Sequence, residues 1–228
     1  MHRATIFDLD DTLVDSGDAW ARVCAAFAAR HGHHWGPEDD TALHGNGDWA
    51  TFVAGLCGGA ASPAEVVETC TTAMTGEVAA GRVQALPGAV DLVLEAGRHG
   101  PVGLATASPR RYVLAFLDKL GLAGRLRAVV CGEDTARGKP APDAYVLAAA
   151  GIGVPPSDCL AVEDSPNGIR SATAAGMPVL AIPRGGTSLP AAVAHLPVAQ
   201  APDAAAALPL LNRLLTPRPG PLVHERLA

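Results

Sequence analysis

The chain has no Cys-x-x-Cys spacing, and its five cysteines, Cys24, Cys57, Cys70, Cys131 and Cys159, are scattered and odd in number. That pattern excludes a zinc or paired-disulfide framework and points to reduced, mostly buried thiols. It also lacks any apolar run near the roughly 18 residues that a membrane-crossing helix needs. No signal peptide precedes the first apolar stretch, so the expected location is cytoplasmic. Basic residues are in deficit: 17 Lys and Arg stand against 23 Asp and Glu, a formal net charge of -6. The positive face of a nucleic-acid binder is therefore not expected, although local cations can still hold a small phosphate. Charge is sparse altogether, at 18% against 49% hydrophobic residues, which suits a packed core and not a disordered chain. The 228 residues suffice for one large domain or a core domain with a smaller insertion.

What the sequence does have is a short apolar run that ends in acids, Ala4-Thr5-Ile6-Phe7-Asp8-Leu9-Asp10-Asp11-Thr12-Leu13-Val14-Asp15-Ser16. Ala4 to Leu9 reads as a buried strand that delivers Asp8 and Asp10 at its carboxyl end. Side chains two apart on an extended backbone point the same way, so the two aspartates share one site while Leu9 turns into the core. Carboxylates that close repel unless a cation lies between them or one keeps a proton, so the pair asks for a metal.

After Ser16, the residues Trp20, Val23, Cys24 and Phe27 recur at helical spacing, with Asp18 at the start, until the pattern fades near Arg30-His31-Gly32. His31, His33 and His34 form a solvated loop and not a metal cluster, because no nearby Cys or Glu completes a ligand set. A glycine-rich stretch from Gly45 to Gly59 follows. A helix then runs from Ser62 or Pro63 to about Ala80, with Ser62 as N-cap, Pro63 at the first position and Glu65 three residues on. Residues 16–82 contain no buried strand and read as a helical insertion, closed by Gly81 and the Leu86-Pro87-Gly88 turn. Residues 1–15 and 83–228 then make up the core domain.

Beyond the insertion, helices over 89–98, 110–120, 143–150 and 167–175 alternate with strands over 101–106, 128–131, 159–162 and 178–182. In the second of these helices Val113, Leu114, Phe116, Leu117 and Leu120 are the expected inward face. The alternation implies right-handed crossovers and an open, Rossmann-like α/β parallel sheet with both faces covered. Ala204 to Leu215 reads as a last helix capped by Asp203 and kinked or restarted at Pro209, and Pro217, Pro219 and Pro221 make an extended end.

Ligands of such a sheet bind beyond the carboxyl ends of its strands. The polar residues at those ends are Asp8 and Asp10, then Thr106, Ala107 and Ser108, then Glu163 and Asp164, with Lys139 after the third strand. These groups suit a phosphoryl site: carboxylates for attack and Mg²⁺, a hydroxyl and turn amides for phosphate oxygens, and a cation for developing charge. Within the insertion, Trp20, His44, Asn46, Asp48 and Trp49 are candidates for the pocket wall, or simply hold its helices together.

Asp8-x-Asp10-x-Thr12, Thr106 in Leu104-Ala105-Thr106-Ala107-Ser108, Lys139 in Gly138-Lys139-Pro140, and Glu163-Asp164 resemble, in order, the four signatures of the haloacid dehalogenase-like hydrolases. The likeness spans residues 4–183 and is nearest the β-phosphoglucomutase and phosphoglycolate phosphatase types, with a helical cap inserted after the first signature. It implies that Asp8 is the nucleophile and Asp10 the general acid and base, and that Thr106 and the amide after it bind phosphate. It also implies that Lys139 steadies developing charge and that Asp8, the Asp10 backbone, Glu163 and Asp164 hold Mg²⁺ directly or through water. A dehalogenase of this fold lacks the second acid and the Mg²⁺ site. The hexose-phosphate mutases carry a histidine ten residues after the second aspartate, where this chain has Trp20, and a lysine where it has His44. The expectation is a Mg²⁺-dependent phosphatase acting on a small phosphorylated metabolite, a sugar phosphate first, with a hexose-phosphate mutase of the β-phosphoglucomutase type or a phosphoglycolate or nucleotide phosphatase as the alternative, as a monomer or homodimer and without nucleic-acid or membrane partners.

Overall fold

The computed structural model describes residues 2–216; the proline-rich end expected at Pro217, Pro219 and Pro221 lies outside them. The chain opens with β1 (Ala4–Phe7) and β2 (Val14–Asp15), then runs through α1 (Gly17–Arg30), α2 (Pro37–Leu43), α3 (Trp49–Leu56) and α4 (Pro63–Ala79). It continues as β3 (Gln84–Ala85), α5 (Ala89–His99), β4 (Val102–Ala105), α6 (Arg110–Lys119), β5 (Ala128–Val130), α7 (Asp143–Ile152) and β6 (Cys159–Glu163). The last elements are α8 (Pro166–Ala174), β7 (Val179–Ala181), β8 (Ala199–Gln200) and α9 (Ala204–Leu215).

Six strands make one parallel sheet in the order β5-β4-β1-β6-β7-β8, with Phe7 level with Leu104 on one side and Val162 on the other. Because both faces are covered, the strands are apolar at successive positions, and the two-residue alternation only sorts side chains between two cores. Phe7, Val102, Leu104, Leu160, Val162 and Leu180 pack with α5, α6 and α9. Ile6, Ala105, Val130, Ala161 and Val179 pack with α7 and α8 on the opposite face. All five cysteines are buried and unpaired. Among the described residues no helix is long and apolar enough to cross a membrane.

The chain leaves and re-enters the sheet region through a two-stranded antiparallel ribbon, Val14 opposite Ala85 and Asp15 opposite Gln84. Between its strands lie only the helices α1 to α4. They are not a separate oil drop: one apolar cluster runs from Phe7 and Leu104 through Leu13, Val14 and Val83 to Trp20, Phe27, Val66 and Met74. At the rim, Lys119 of α6 donates to the carbonyls of Val78 and Val83, and Arg111 bonds Glu68 and Thr72 on α4.

The Ser62 cap forms as its sequence implies, its hydroxyl accepting from Glu65 N while Glu65 bonds Ser62 N in return. Asp203 likewise caps α9 through Ala206 N. That helix passes through Pro209 without a break, because proline forfeits one backbone bond while Ala207, Leu211 and Leu215 stay buried. In α6 the inward face includes Tyr112, and Leu114, expected inside, is 47% exposed. His33 lies in the loop after α1 and pairs with Asp39 at 2.9 Å.

A shared core has a thermodynamic consequence. Calorimetric unfolding should be a single transition whose calorimetric and van't Hoff enthalpies agree, and Met74→Ala in α4 should lower the whole transition by about 2–5 kcal/mol. Two resolved transitions, with only one moved by Met74→Ala, would contradict the continuous core.

Candidate active site

The carboxyl ends of β1, β4 and β6 open onto one cavity of about 160 Å³, roofed by α1, α2 and the loop that follows it. Asp8, Asp10, Thr106, Ala107, Ser108, Lys139 and Asp164 line its floor, and Trp20, His44 and Asn46 its roof. Of the candidate residues named for the site and its wall, two lie outside this lining: Glu163, which sits behind Lys139, and Asp48, whose N–H donates to Asn46 Oδ1 in the loop after α2.

Asp8 follows β1 directly, its N–H donating to Val162 O of the neighbouring strand. Its Oδ1 accepts from Lys139 Nζ at 2.5 Å, and Nζ also donates to Glu163 Oε1 at 2.6 Å. Burial pushes the Asp8 carboxyl up to about 8 against the pull of Lys139. Burial alone would lower the Lys139 ammonium, yet Asp8 and Glu163 beside it hold it above the usual lysine value.

Glu163 and Asp164 are adjacent in sequence but have different surroundings. Glu163 is fully buried: Oε1 accepts from Lys139 and Tyr145, and Oε2 from the N–H groups of Asp164 and Ser165 and from Ser165 Oγ. Its acceptor capacity is spent on protein donors, which suits fixing Lys139 and the strand end and leaves little for an ion. Asp164 faces the cavity. Thr12 Oγ1 donates to its Oδ1 at 3.0 Å, while Oδ2 is buried with no hydrogen bond from the described residues, His44 Nε2 making only a longer contact of 3.4 Å. Burial, with the charges of Glu163, Asp8 and Asp11, raises its carboxyl well above the usual range. An orphaned carboxylate oxygen among crowded acids is what a hard, oxygen-seeking cation relieves, so these residues fit a divalent ion such as Mg²⁺.

Asp10 occupies a nest of donors. Oδ1 accepts from Ser16 Oγ (2.7 Å), Trp20 Nε1 (3.0 Å) and Tyr112 OH (3.0 Å), and Oδ2 from Ser108 Oγ (2.5 Å) and, more weakly, Thr106 Oγ1 (3.4 Å). Thr106 ends β4 and takes the Ser108 N–H on its hydroxyl, which shapes the turn. Trp20 does both things its sequence left open: it bonds Asp10 and packs on Trp49 and Tyr112, ring centroids 5.1 and 5.2 Å away.

Above the floor, His44 places Nε2 3.4 Å from Asp164 Oδ2 and Nδ1 3.6 Å from Asp11 Oδ2. Asp11, His44 and Asp164 together offer ligand atoms within 4.8 Å of one another. Asn46 spends its side chain on Ala42 O and Asp48 N, folding the loop after α2. That loop meets the Lys139 turn backbone to backbone: a Cβ on Gly47 would lie 2.2 Å from Lys139 N, and one on Gly138 2.3 Å from Gly47 O.

Three contributors escaped the sequence reading. Asp11 adopts a left-handed conformation (φ 58°), which aspartate tolerates, and turns its carboxylate onto the N–H groups of Ser16 and Gly17. Burial opposes its ionisation, but His44, Arg184 and that cap hold its carboxyl below the usual range. Arg184, after β7, places Nε 3.2 Å from Asp11 Oδ2. Tyr112 was hidden among the apolar residues of α6. The Asp10-Asp11 doublet was the one available signal; an arginine in Pro183-Arg184-Gly185-Gly186 carries none.

Comparison with known proteins agrees with this geometry. Residues 2–176 match the family model of the haloacid dehalogenase-like hydrolases. Hexitol phosphatase A of Escherichia coli K12 is 36% identical over 183 residues, 78% of this chain and 81% of its own length. Validoxylamine A 7'-phosphate phosphatase of Streptomyces hygroscopicus subsp. limoneus is 31% identical over 188 residues, 78% of this chain and 84% of its own. Among solved structures, CbbY from Rhodobacter sphaeroides in complex with phosphate superposes with a TM-score of 0.77 at 25% identity, over 91% of this chain and 96% of that one. The chain belongs to the haloacid dehalogenase-like hydrolases.

Proposed function

We propose that this phosphoric monoester hydrolase is a Mg²⁺-dependent phosphatase of small sugar phosphates that works through an aspartyl-phosphate on Asp8. The observation that carries the reading is the convergence of Asp8, Asp10, Thr106, Ser108, Lys139 and Asp164 on one cavity. The sugar is supported by a wall of Trp20, Trp49, His44 and Asn46, and by the named activities of the hexitol and validoxylamine phosphate phosphatases. Residues 16–82 serve as a cap that shuts water from the reacting centre.

Asp8, the Asp10 backbone carbonyl and Asp164 would hold the ion, and Glu163 fixes Lys139. The ion supplies charge neutralisation between phosphate and carboxylates. The free oxygen of Asp8 attacks phosphorus in line, while Thr106, Ser108 and the turn amides hold the phosphoryl oxygens. Three donors fix Asp10 Oδ1. Oδ2 faces hydroxyls that accept as well as donate, so Oδ2 carries the proton to the leaving alcohol and then takes one from the attacking water.

Phosphate release from a panel of small phosphoesters with Mg²⁺, and its loss in EDTA, tests the reaction; a broad panel without metal-dependent release would refute it. Asp10→Asn should keep substrate binding and lower kcat by about 10²- to 10⁴-fold. Tyr112→Phe should cost about tenfold in kcat with little change in KM, as expected for loss of one hydrogen bond to a charged group. Full turnover in Asp10→Asn would remove its role.

Stability offers a check without turnover. Because the folded Asp8 carboxyl titrates near 8, well above its ordinary value of 3.8, the metal-free fold retains a proton that the unfolded chain has lost between those values. Its stability therefore falls as pH rises from about 4 to about 8. Mg²⁺ should offset that fall, raising Tm more at pH 8 than at pH 6, and Asp164→Asn should abolish the Mg²⁺ shift.

A further inference from the structure

The cavity mouth has a charge pattern that bears on which phosphate esters enter. Arg184 comes from the short turn after β7 and lies over the start of α1, where it pairs with Asp11 and, through its NH2 group, with Asp18. Gly17 leaves room for it: a Cβ there would lie 2.8 Å from the guanidinium carbon. Asp40 also lines the mouth, its Oδ1 accepting from Trp35 Nε1. The cavity wall thus holds six aspartates, at positions 8, 10, 11, 18, 40 and 164, against two formal cations, Lys139 and Arg184. Neither cation is free, since Lys139 is bound by Asp8 and Glu163 and Arg184 by Asp11 and Asp18.

We propose that this mouth selects monophosphates whose far end is neutral or cationic, and that Asp18 is a specificity-determining residue because it pairs with Arg184, the arginine that lines the cavity among the described residues. The inference rests on the phosphatase reading above and narrows its substrate class. A second phosphate carries about -1.5 to -2 charges at neutral pH and would sit beside Asp18 and Asp40, where the neighbouring cation Arg184 is already neutralised by carboxylates. To pair with Arg184 it must share the guanidinium with two carboxylates already on it, exposed Asp18 and buried Asp11, whose negative charges oppose it. Sugar hydroxyls meet no such penalty: they donate to Asp18 and Asp40 and accept from Arg184 without net charge. The Asp18 side chain is 80% exposed and that of Arg184 40%, so solvent weakens the repulsion and the discrimination is of moderate size.

The test compares kcat/KM for a hexitol monophosphate and for the bisphosphate of the same hexitol, with Mg²⁺, at low and high ionic strength. The wild-type enzyme should prefer the monophosphate by about tenfold or more at low salt, and the gap should narrow as salt screens the mouth. Asp18→Asn, which removes one of the two carboxylates on Arg184, should shrink the ratio by about threefold or more, and adding Arg184→Gln to it should restore the preference. Equal kcat/KM for the two esters at low salt, or an Asp18→Asn ratio equal to wild type, would overturn the inference and leave the phosphatase reading standing. Should Asp18→Asn fail to fold, a wild-type preference that does not change with salt would overturn it instead. No phosphate release from either ester, or from any of the panel, would overturn both.

Discussion

Lys139 is a single ammonium clamped between two buried carboxylates, Asp8 at the end of β1 and Glu163 at the end of β6, and the site is arranged around it. A buried ionic cluster gives little net stability, because removing its charges from water costs roughly what their attraction returns. Its value here is positional. The cluster ties together two strand ends and a turn that are far apart in the chain, and it sets Asp8 with one oxygen held and the other open to the cavity. Tyr145, whose hydroxyl donates to Glu163 and whose ring lies 5.1 Å from Nζ, closes the buried side. Leaving Lys139 without either acid would strand an unpaired charge, so these three residues act as one unit.

The surrounding layers follow from that clamp. With Glu163 committed to Lys139 and to backbone N–H groups, the open carboxylate oxygen at this strand end belongs to Asp164, which gives the site its demand for a cation. Asp10 is held by a separate set of donors from Ser16, α1, α6 and the β4 turn, so Asp8 and Asp10, the proposed nucleophile and acid–base, are oriented by different parts of the fold. The helical segment takes part directly. Trp20 bonds Asp10, His44 stands over Asp164 and Asp11, and Gly47 lies against Gly138, so a displacement of this segment would be felt at Asp10, Asp11, Asp164 and the Lys139 turn.

The sheet was legible in the sequence because buried parallel strands are short apolar runs between amphipathic helices, and the floor residues because they stand at the ends of those runs. Asp8 and Thr106 needed no tertiary information beyond that rule, whereas Lys139 lies in a turn well past β5 and was marked by its Gly-Lys-Pro motif. The helix α3 was obscured by glycines that suggest loop, α2 is a short, mostly polar helix, and the ribbon strands β2 and β3 and the edge strand β8 are two residues each, too short for a period to show. Glu163 and Asp164 were indistinguishable as a doublet. Only the turn of the backbone at the end of β6 sends one carboxylate inward to Lys139 and the other to the cavity. Arg184 and Tyr112 owe their place to chain crossings that no local pattern encodes.

The central claim is that the oxygen of Asp8 left open by Lys139 takes the phosphoryl group. Enzyme quenched in acid during turnover with Mg²⁺, reduced with borohydride and mapped by peptide mass spectrometry reads this directly. The account predicts that Asp8, and no other aspartate, is recovered as homoserine, with a yield that falls to nothing in EDTA. Reduction at a different carboxylate, or none at all in enzyme actively releasing phosphate, would contradict it.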